Sequence, residues 1–218
     1  MVAQITEGTA FDKHGRPFRR RNYAPAIVVF AVLAVVTMGI WVIALNRPPD
    51  VTEAAACNPP ADNATSDPTQ SKLGEQVTRA SMTEVGPANL ADTKIRVLNA
   101  SGQGGQAAEV AGQLRDLGFA DPTAENDPLY ANNRLSCHGQ IRFGPSGRAA
   151  AAAVWLVAPC VELYQDQRPD NTVDLAIGTD FNELTRSDDV EAVLSSLRPE
   201  ATQPPDAALI SKIHSTAC

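Results

Sequence analysis

The sequence predicts an α/β protein in two parts: a single-pass transmembrane helix, then a small α/β sandwich on a mixed sheet. Three observations predict it. Residues 22–46 carry no charged side chain. Beyond residue 90, short alternating runs typical of strands take turns with amphipathic helical runs. All four cysteines, an even set, fall after the apolar run. With 218 residues the chain has room for one ordinary domain plus extras, which excludes a large two-domain enzyme.

Residues 1–22 form a basic tail with Lys13, Arg16, Arg19, Arg20 and Arg21 against Glu7 and Asp12, a charge of +3. The remaining 13 basic and 23 acidic side chains leave the body at −10. An acidic body argues against a sequence-independent nucleic-acid binder, which needs a basic face. The apolar run, residues 24–45, suits a bilayer core, which takes about 20 helical residues. Tyr23 and Trp41 are placed for the two interfaces, and residues 23–46 are the expected membrane contact. Three arginines precede the run and only Arg47 follows closely, so the bias of positive charge puts the N-terminus in the cytoplasm and the body outside. A cleaved signal peptide is the rival reading. Its apolar core would be shorter, and Arg47, Pro48, Pro49 and Asp50 separate the run from the small residues at 54–56.

Residues 47–89 read as a Pro-rich extracytoplasmic linker with a short helix over 71–83. The domain is expected over 90–199. Ile95 and Val97 alternate with charged neighbours in a first strand, 94–99. A Gly-rich turn at 101–105 leads to a helix over 106–117, with Ala107, Val110, Ala111, Leu114 and Leu117 on one face and Gly118 as its stop. A short strand near 120–125 and a polar loop, 126–136, follow. Residues 139–143 and 161–165 alternate as strands around an alanine-rich helix, 146–157, stopped by Pro159. Residues 172–177 alternate again after a turn with Pro169, and pair back as a hairpin. Ser187 caps a last helix with Asp188 and Asp189 in its first turn and Val190, Val193, Leu194 and Leu197 inward. Residues 200–218 read as a C-terminal tail.

Cysteines confined to the oxidising side read as disulfides. Metal binding is the weaker alternative, since no Cys-x-x-Cys occurs and His138 and His214 are the only histidines near a cysteine. Cys137 and Cys160 each precede a strand of a strand–helix–strand unit. Neighbouring parallel strands begin at the same end of a sheet, so these two are expected to pair, worth about 3 kcal/mol by loop entropy. Cys57 and Cys218 are then left for each other.

Candidate chemistry is sparse. Asn99, Ser101 and Gly102 lie in a strand-to-helix turn that could present amides to an anion, but the pattern is neither G-x-G-x-x-G nor a Walker loop, and a tight turn explains it. Glu162, Asp166, Asp170, Asp174, Asp180 and Glu183 crowd one stretch; the spacing is no EF-hand, and a solvated hairpin face explains it. Arg142, Arg148 and Arg168 are candidates for an acidic partner or phosphorylated polymer. Three histidines and no G-x-S-x-G make a nucleophilic triad a poor reading. Neither a cofactor nor a metal is expected.

IRVLNASGQGGQAAEVAGQLRDLGF, residues 95–119, resembles the opening of the LytR C-terminal domain family: a strand ending in an Asn-containing Gly-rich turn, then an alanine-rich helix closed by Gly-Phe. The matching positions are Val97, Asn99, Gly102, Gly105, Ala108, Leu114, Gly118 and Phe119. GQIRFGPSGRAAAAAVWLVAPC and TVDLAIGTDF resemble the later half, so the likeness spans residues 92–183. It implies an extracytoplasmic role in envelope integrity. In larger relatives this domain is appended to a LytR-CpsA-Psr catalytic domain that transfers wall polymers, for which this chain has no room. No catalytic residue carries over, and the resemblance implies a non-enzymatic module acting on an envelope ligase or cell-wall polymer. The alternative is a wall hydrolase or transferase using the Glu162–Glu183 carboxylates.

Overall fold

The computed structural model describes residues 23–45, 56–61 and 73–215. The basic tail, Arg47 and Cys218 lie outside the described residues. The first helix, α1 (Ala24–Leu45), has 22 residues and no acidic or basic side chain at either end. It is long and apolar enough to cross a membrane.

The globular part begins with a two-residue strand, β1 (Glu75–Gln76), and a single-turn helix, α2 (Arg79–Thr83), where a longer helix over 71–83 is expected from sequence. The Thr78 hydroxyl caps α2 by accepting from the Ser81 amide. Next come β2 (Ile95–Asn99), α3 (Gln106–Asp116), β3 (Thr123–Asn126), β4 (Gly139–Phe143), α4 (Arg148–Val157), β5 (Glu162–Gln165), β6 (Val173–Ile177) and α5 (Asp188–Ser196). The Ser187 hydroxyl caps α5 as expected, 3.2 Å from the Val190 amide. The expected tail contains a further helix, α6 (Ala207–His214), capped by Asp206 and held by Ile210 and Ile213, which reach the core.

The six strands form one mixed sheet in the order β1-β5-β4-β6-β2-β3. The parallel pairs β4/β5 and β2/β3 follow from helix crossovers, as the strand–helix–strand reading predicts. The hairpin expected of β6 does not form. β6 runs parallel to β2 and antiparallel to β4, and β1 takes the outer side of β5. The reason is burial: all five residues of β6 are buried. Such a strand is most stable at the sheet centre, covered on both faces.

Alternation along the strands divides the sheet. Ile95, Val97, Ile141, Phe143, Leu163, Val173, Leu175 and Ile177 join α3, α4, α5 and α6 in the main core. Residues 150–157 of α4 are buried without exception, Trp155 completely, because the alanines let the helix lie between the sheet and α6. The opposite face carries a smaller cluster, Leu98, Ala100, Leu129, Tyr130, Leu135, Cys137 and Ala176.

The cysteine pairing expected from sequence is overturned. Cys57 is bonded to Cys137, so neither Cys137–Cys160 nor Cys57–Cys218 forms. Cys137 and Cys160 precede parallel neighbouring strands at one end of the sheet, where a third cysteine, Cys57, takes Cys137. Cys137 belongs to the smaller cluster, beside the loop after β6, where its carbonyl accepts from Asp180. Cys160 follows Pro159, whose carbonyl accepts from Trp155 on the α4 side. The linker segment 56–61 lies on Cys137's face, and Cys57 packs against that cluster. Cys160 is disulfide-bonded as well.

Candidate functional site on the polar sheet face

The face opposite the helices is unusually polar for a sheet interior. One row across it reads Tyr164, Arg142, Asp174, Arg96; the next reads Glu162, Gln140, Ala176, Leu98. Alternation puts these residues here because their neighbours fill the apolar core. Their charges are met from within. Arg142 donates to Asp127 Oδ2 at 2.8 Å and Oδ1 at 3.2 Å, and to Gln140 Oε1 at 2.8 Å. Both side chains of that pair are almost wholly out of water, at 4% and 0% exposure. Such a fork-on-fork pair is tolerated only when the remaining donors and lone pairs are also satisfied. The Arg142 guanidinium also lies over the Tyr130 ring.

A second knot joins Arg168, Asp166, Asp174 and Arg96. Arg168 Nη2 is 2.6 Å from Asp166 and 2.7 Å from Asp174, and Arg96 grips Asp174 at 2.8 and 2.9 Å. Burial opposes the charge on Arg168, but the hydrogen bonds to Asp174 and Asp166 outweigh it and hold the proton more tightly than usual. The arginine candidates Arg142 and Arg168 are therefore neutralised internally, and Arg148 donates to Gln165 Oε1 and to the Ser81 carbonyl.

The acidic stretch is likewise divided. Glu162 accepts from the Cys57 amide at 3.0 Å and from the Tyr164 hydroxyl at 2.8 Å. Burial and that bond to Glu162 push the Tyr164 phenol up. Asp170 and Asp180 lie beyond opposite ends of β6. Asp170 accepts from the Thr172 amide, which holds its carboxyl below the usual range. Among the described residues no group of three or more His, Cys, Asp or Glu is placed to hold a metal ion.

The Gly-rich turn is closed by its own side chains. Asn99 Oδ1 accepts from the Ser101 amide, the Ser101 hydroxyl and the Gly102 amide, at 3.2, 3.0 and 3.2 Å. Gly102 and Gly105 have φ of +77° and +83°, a left-handed backbone that favours glycine. The donors Ser101 and Gly102 offer an anion are thus spent on Asn99, and the resemblance to a turn motif has a structural cause.

Sequence reasoning missed the residues that close this face. Asp127 and Tyr130 sit in what reads only as a polar loop, and Asn58 in what reads only as linker. The Tyr130 hydroxyl donates to the Asn58 carbonyl at 2.7 Å; Asn58 Oδ1 accepts from the Ser136 amide and its Nδ2 donates to the Arg134 carbonyl. Residues 56–61 are thereby a strap, fastened by the Cys57–Cys137 bond and these contacts. The one available signal was Cys57 itself, a cysteine inside a segment that otherwise looks unstructured. Beside the strap, a groove of about 470 Å³ opens at the carboxyl ends of β2 and β3, lined by Asn99, Gly102, Asn126, Asn132, Asn133 and Arg134 among others.

A mixed sheet with helices on one face and a strapped, internally neutralised polar face on the other defines a small α/β module. The chain belongs to the LytR_C family, described as LytR cell envelope-related transcriptional attenuator, whose profile matches residues 92–181. It is 67% identical over 218 residues, the full length of both chains, to the cell envelope integrity protein Cei of Mycobacterium tuberculosis strain H37Rv. It is also similar to a solved structure, the soluble domain (residues 71–217) of a conserved hypothetical secreted protein from Mycobacterium marinum. That likeness has a TM-score of 0.66 and 67% identity, and covers 67% of this chain and 99% of that one.

Proposed function

We propose that this chain is a membrane-anchored, non-enzymatic module that supports envelope integrity from outside the membrane by binding a cell-wall polymer or a polymer ligase of the LytR-CpsA-Psr type. In this reading residues 1–22 are a cytoplasmic tail, 23–46 the span, 47–89 the linker, whose β1 and α2 join the globular part, 90–199 the LytR_C-like domain and 200–218 its C-terminal tail. The envelope role is supported by the full-length likeness to Cei. Binding rather than catalysis is supported by one observation: the central carboxylates of the acidic stretch, Glu162, Asp166 and Asp174, are each held by hydrogen bonds or ion pairs within the fold. A general acid or base needs a carboxyl open to substrate and raised toward neutral pH.

The test is a deletion strain complemented with a triple variant, Asp170→Asn, Asp180→Asn, Glu183→Gln, and a single Glu162→Gln, read by ethidium uptake. The first three positions are exposed, so folding is retained. Deletion raises uptake, and both variants restore the barrier as wild type does. Either variant behaving like the deletion, at normal protein level, would return the enzymatic alternative.

A further inference from the structure

The groove at the carboxyl ends of β2 and β3 is absorbed by nothing described so far. Its chemistry is distinctive. The side-chain amides of Asn126 and Asn132 line it, and neither forms a hydrogen bond among the described residues. Asn133 Oδ1, on the same wall, is a buried acceptor that no donor meets. The Arg134 guanidinium has no carboxylate partner among the described residues and runs beside Gly102, where a Cβ would come within 2.9 Å of its Nε. Asp127, the one carboxylate in the lining, is already consumed by Arg142.

The groove therefore offers uncommitted amide donors and acceptors, one unpaired cation and no unpaired anion. The apolar side chains in its lining are small alanines and the buried edge of Tyr130, so an oily ligand gains little there. A polyanion is also a poor fit, because one arginine on a body of charge −10 supplies little counter-charge. Uncommitted amides beside a single guanidinium match a ligand dense in hydroxyl and acetamido groups and carrying at most an isolated carboxylate.

We infer that this groove binds a saccharide segment of the wall glycan, with Asn126, Asn132 and Arg134 as the recognising side chains. The inference rests on the reading of the chain as an envelope-binding module and names the ligand class and the place. The strap bears on it directly, because Asn133 donates to the Pro59 carbonyl and Asn58 to the Arg134 carbonyl. The disulfide-fastened linker thus forms the rear support of the groove wall.

The test uses the full-length chain in lipid nanodiscs and isothermal titration. The probe is the soluble disaccharide–peptide fraction released from purified peptidoglycan by a muramidase, with inorganic polyphosphate as polyanion control. Wild type binds the fragments saturably, and the dissociation constant changes less than threefold between 50 and 500 mM NaCl. Asn132→Ala and Arg134→Gln each weaken binding at least fivefold. The triple variant with Asn126→Ala abolishes it while the circular dichroism spectrum and melting temperature stay unchanged. Equal affinity in wild type and triple variant overturns the inference, as does saturable binding of polyphosphate alone, or no binding of the fragments. The two readings fail separately. If the fragments do not bind but the triple variant still loses barrier function in cells, the ligand class is wrong and the envelope role stands. If they bind as expected but deletion leaves the barrier intact, the envelope role is wrong and the groove assignment stands.

Discussion

Replacing His214 with phenylalanine keeps a ring in the α6 contact and removes the one titrating group buried there. His214 stacks on Trp155 with ring centroids 3.6 Å apart and planes at 18°. Both of its ring nitrogens are buried without a hydrogen-bond partner. Arg79 closes the site: it donates to the Pro159 carbonyl at 2.7 Å and the His214 carbonyl at 3.0 Å, and its guanidinium lies over the Trp155 ring. Burial, then the Arg79 charge, lowers the imidazole to about 4 from an ordinary 6.5. The unfolded chain binds this proton more tightly than the folded one. The contribution is therefore complete above pH 6.5 and is lost as the pH falls from 6.5 to about 4. A depression of that size corresponds to about 3 kcal/mol, and residual hydration of the ring brings it nearer 2 kcal/mol. The assay is urea unfolding of residues 49–218 at intervals from pH 7.5 to 4. The relative from M. marinum supports the use of a fragment without α1, since its soluble domain, residues 71–217, was crystallised by itself. Wild type should lose about 2 kcal/mol more than His214→Phe over that range. Parallel curves for the two proteins would refute the account of a neutral, desolvated imidazole holding α6 to Trp155.

Three further outcomes follow from the strap and the polar face. Replacing Cys57 and Cys137 together with serine opens a closure spanning 80 residues, which chain entropy values at about 4 kcal/mol, so the melting temperature should fall by roughly 10 °C. A non-reducing peptide map of wild type should recover Cys57 joined to Cys137 and, as four cysteines leave only one other pairing, Cys160 joined to Cys218. Asp127→Ala strands the Arg142 guanidinium in a dry site and should cost about 3 to 5 kcal/mol in urea unfolding, whereas removing both charges with Asp127→Leu and Arg142→Met should cost markedly less. Equal losses for the single and double replacements would mean that the pair is not desolvated.

What the sequence determined by itself was local. The alternation of Ile95 with Val97 and of Ile141 with Phe143, the amphipathic face of α3, the Ser187 cap and the uncharged run of α1 are each written in neighbouring residues, and each element formed where its pattern lies. Turn chemistry was legible for the same reason, because Asn99 closes a loop only three residues long onto Gly102. Tertiary structure alone decided which strands lie side by side and which face a loop returns to. β6 passes β5 and inserts between β4 and β2, since its burial on both faces is worth more than the short turn that invites a hairpin. Cys137 bonds Cys57 instead of Cys160 because alternation fixes the face of a residue while only packing fixes what covers that face. The candidate groove was invisible for this reason. Asn99 ends β2, Asn126 ends β3 and Asn132 lies in the loop after β3; they meet only where two parallel strands end together, and no local rule of spacing encodes a meeting that the order of the sheet creates.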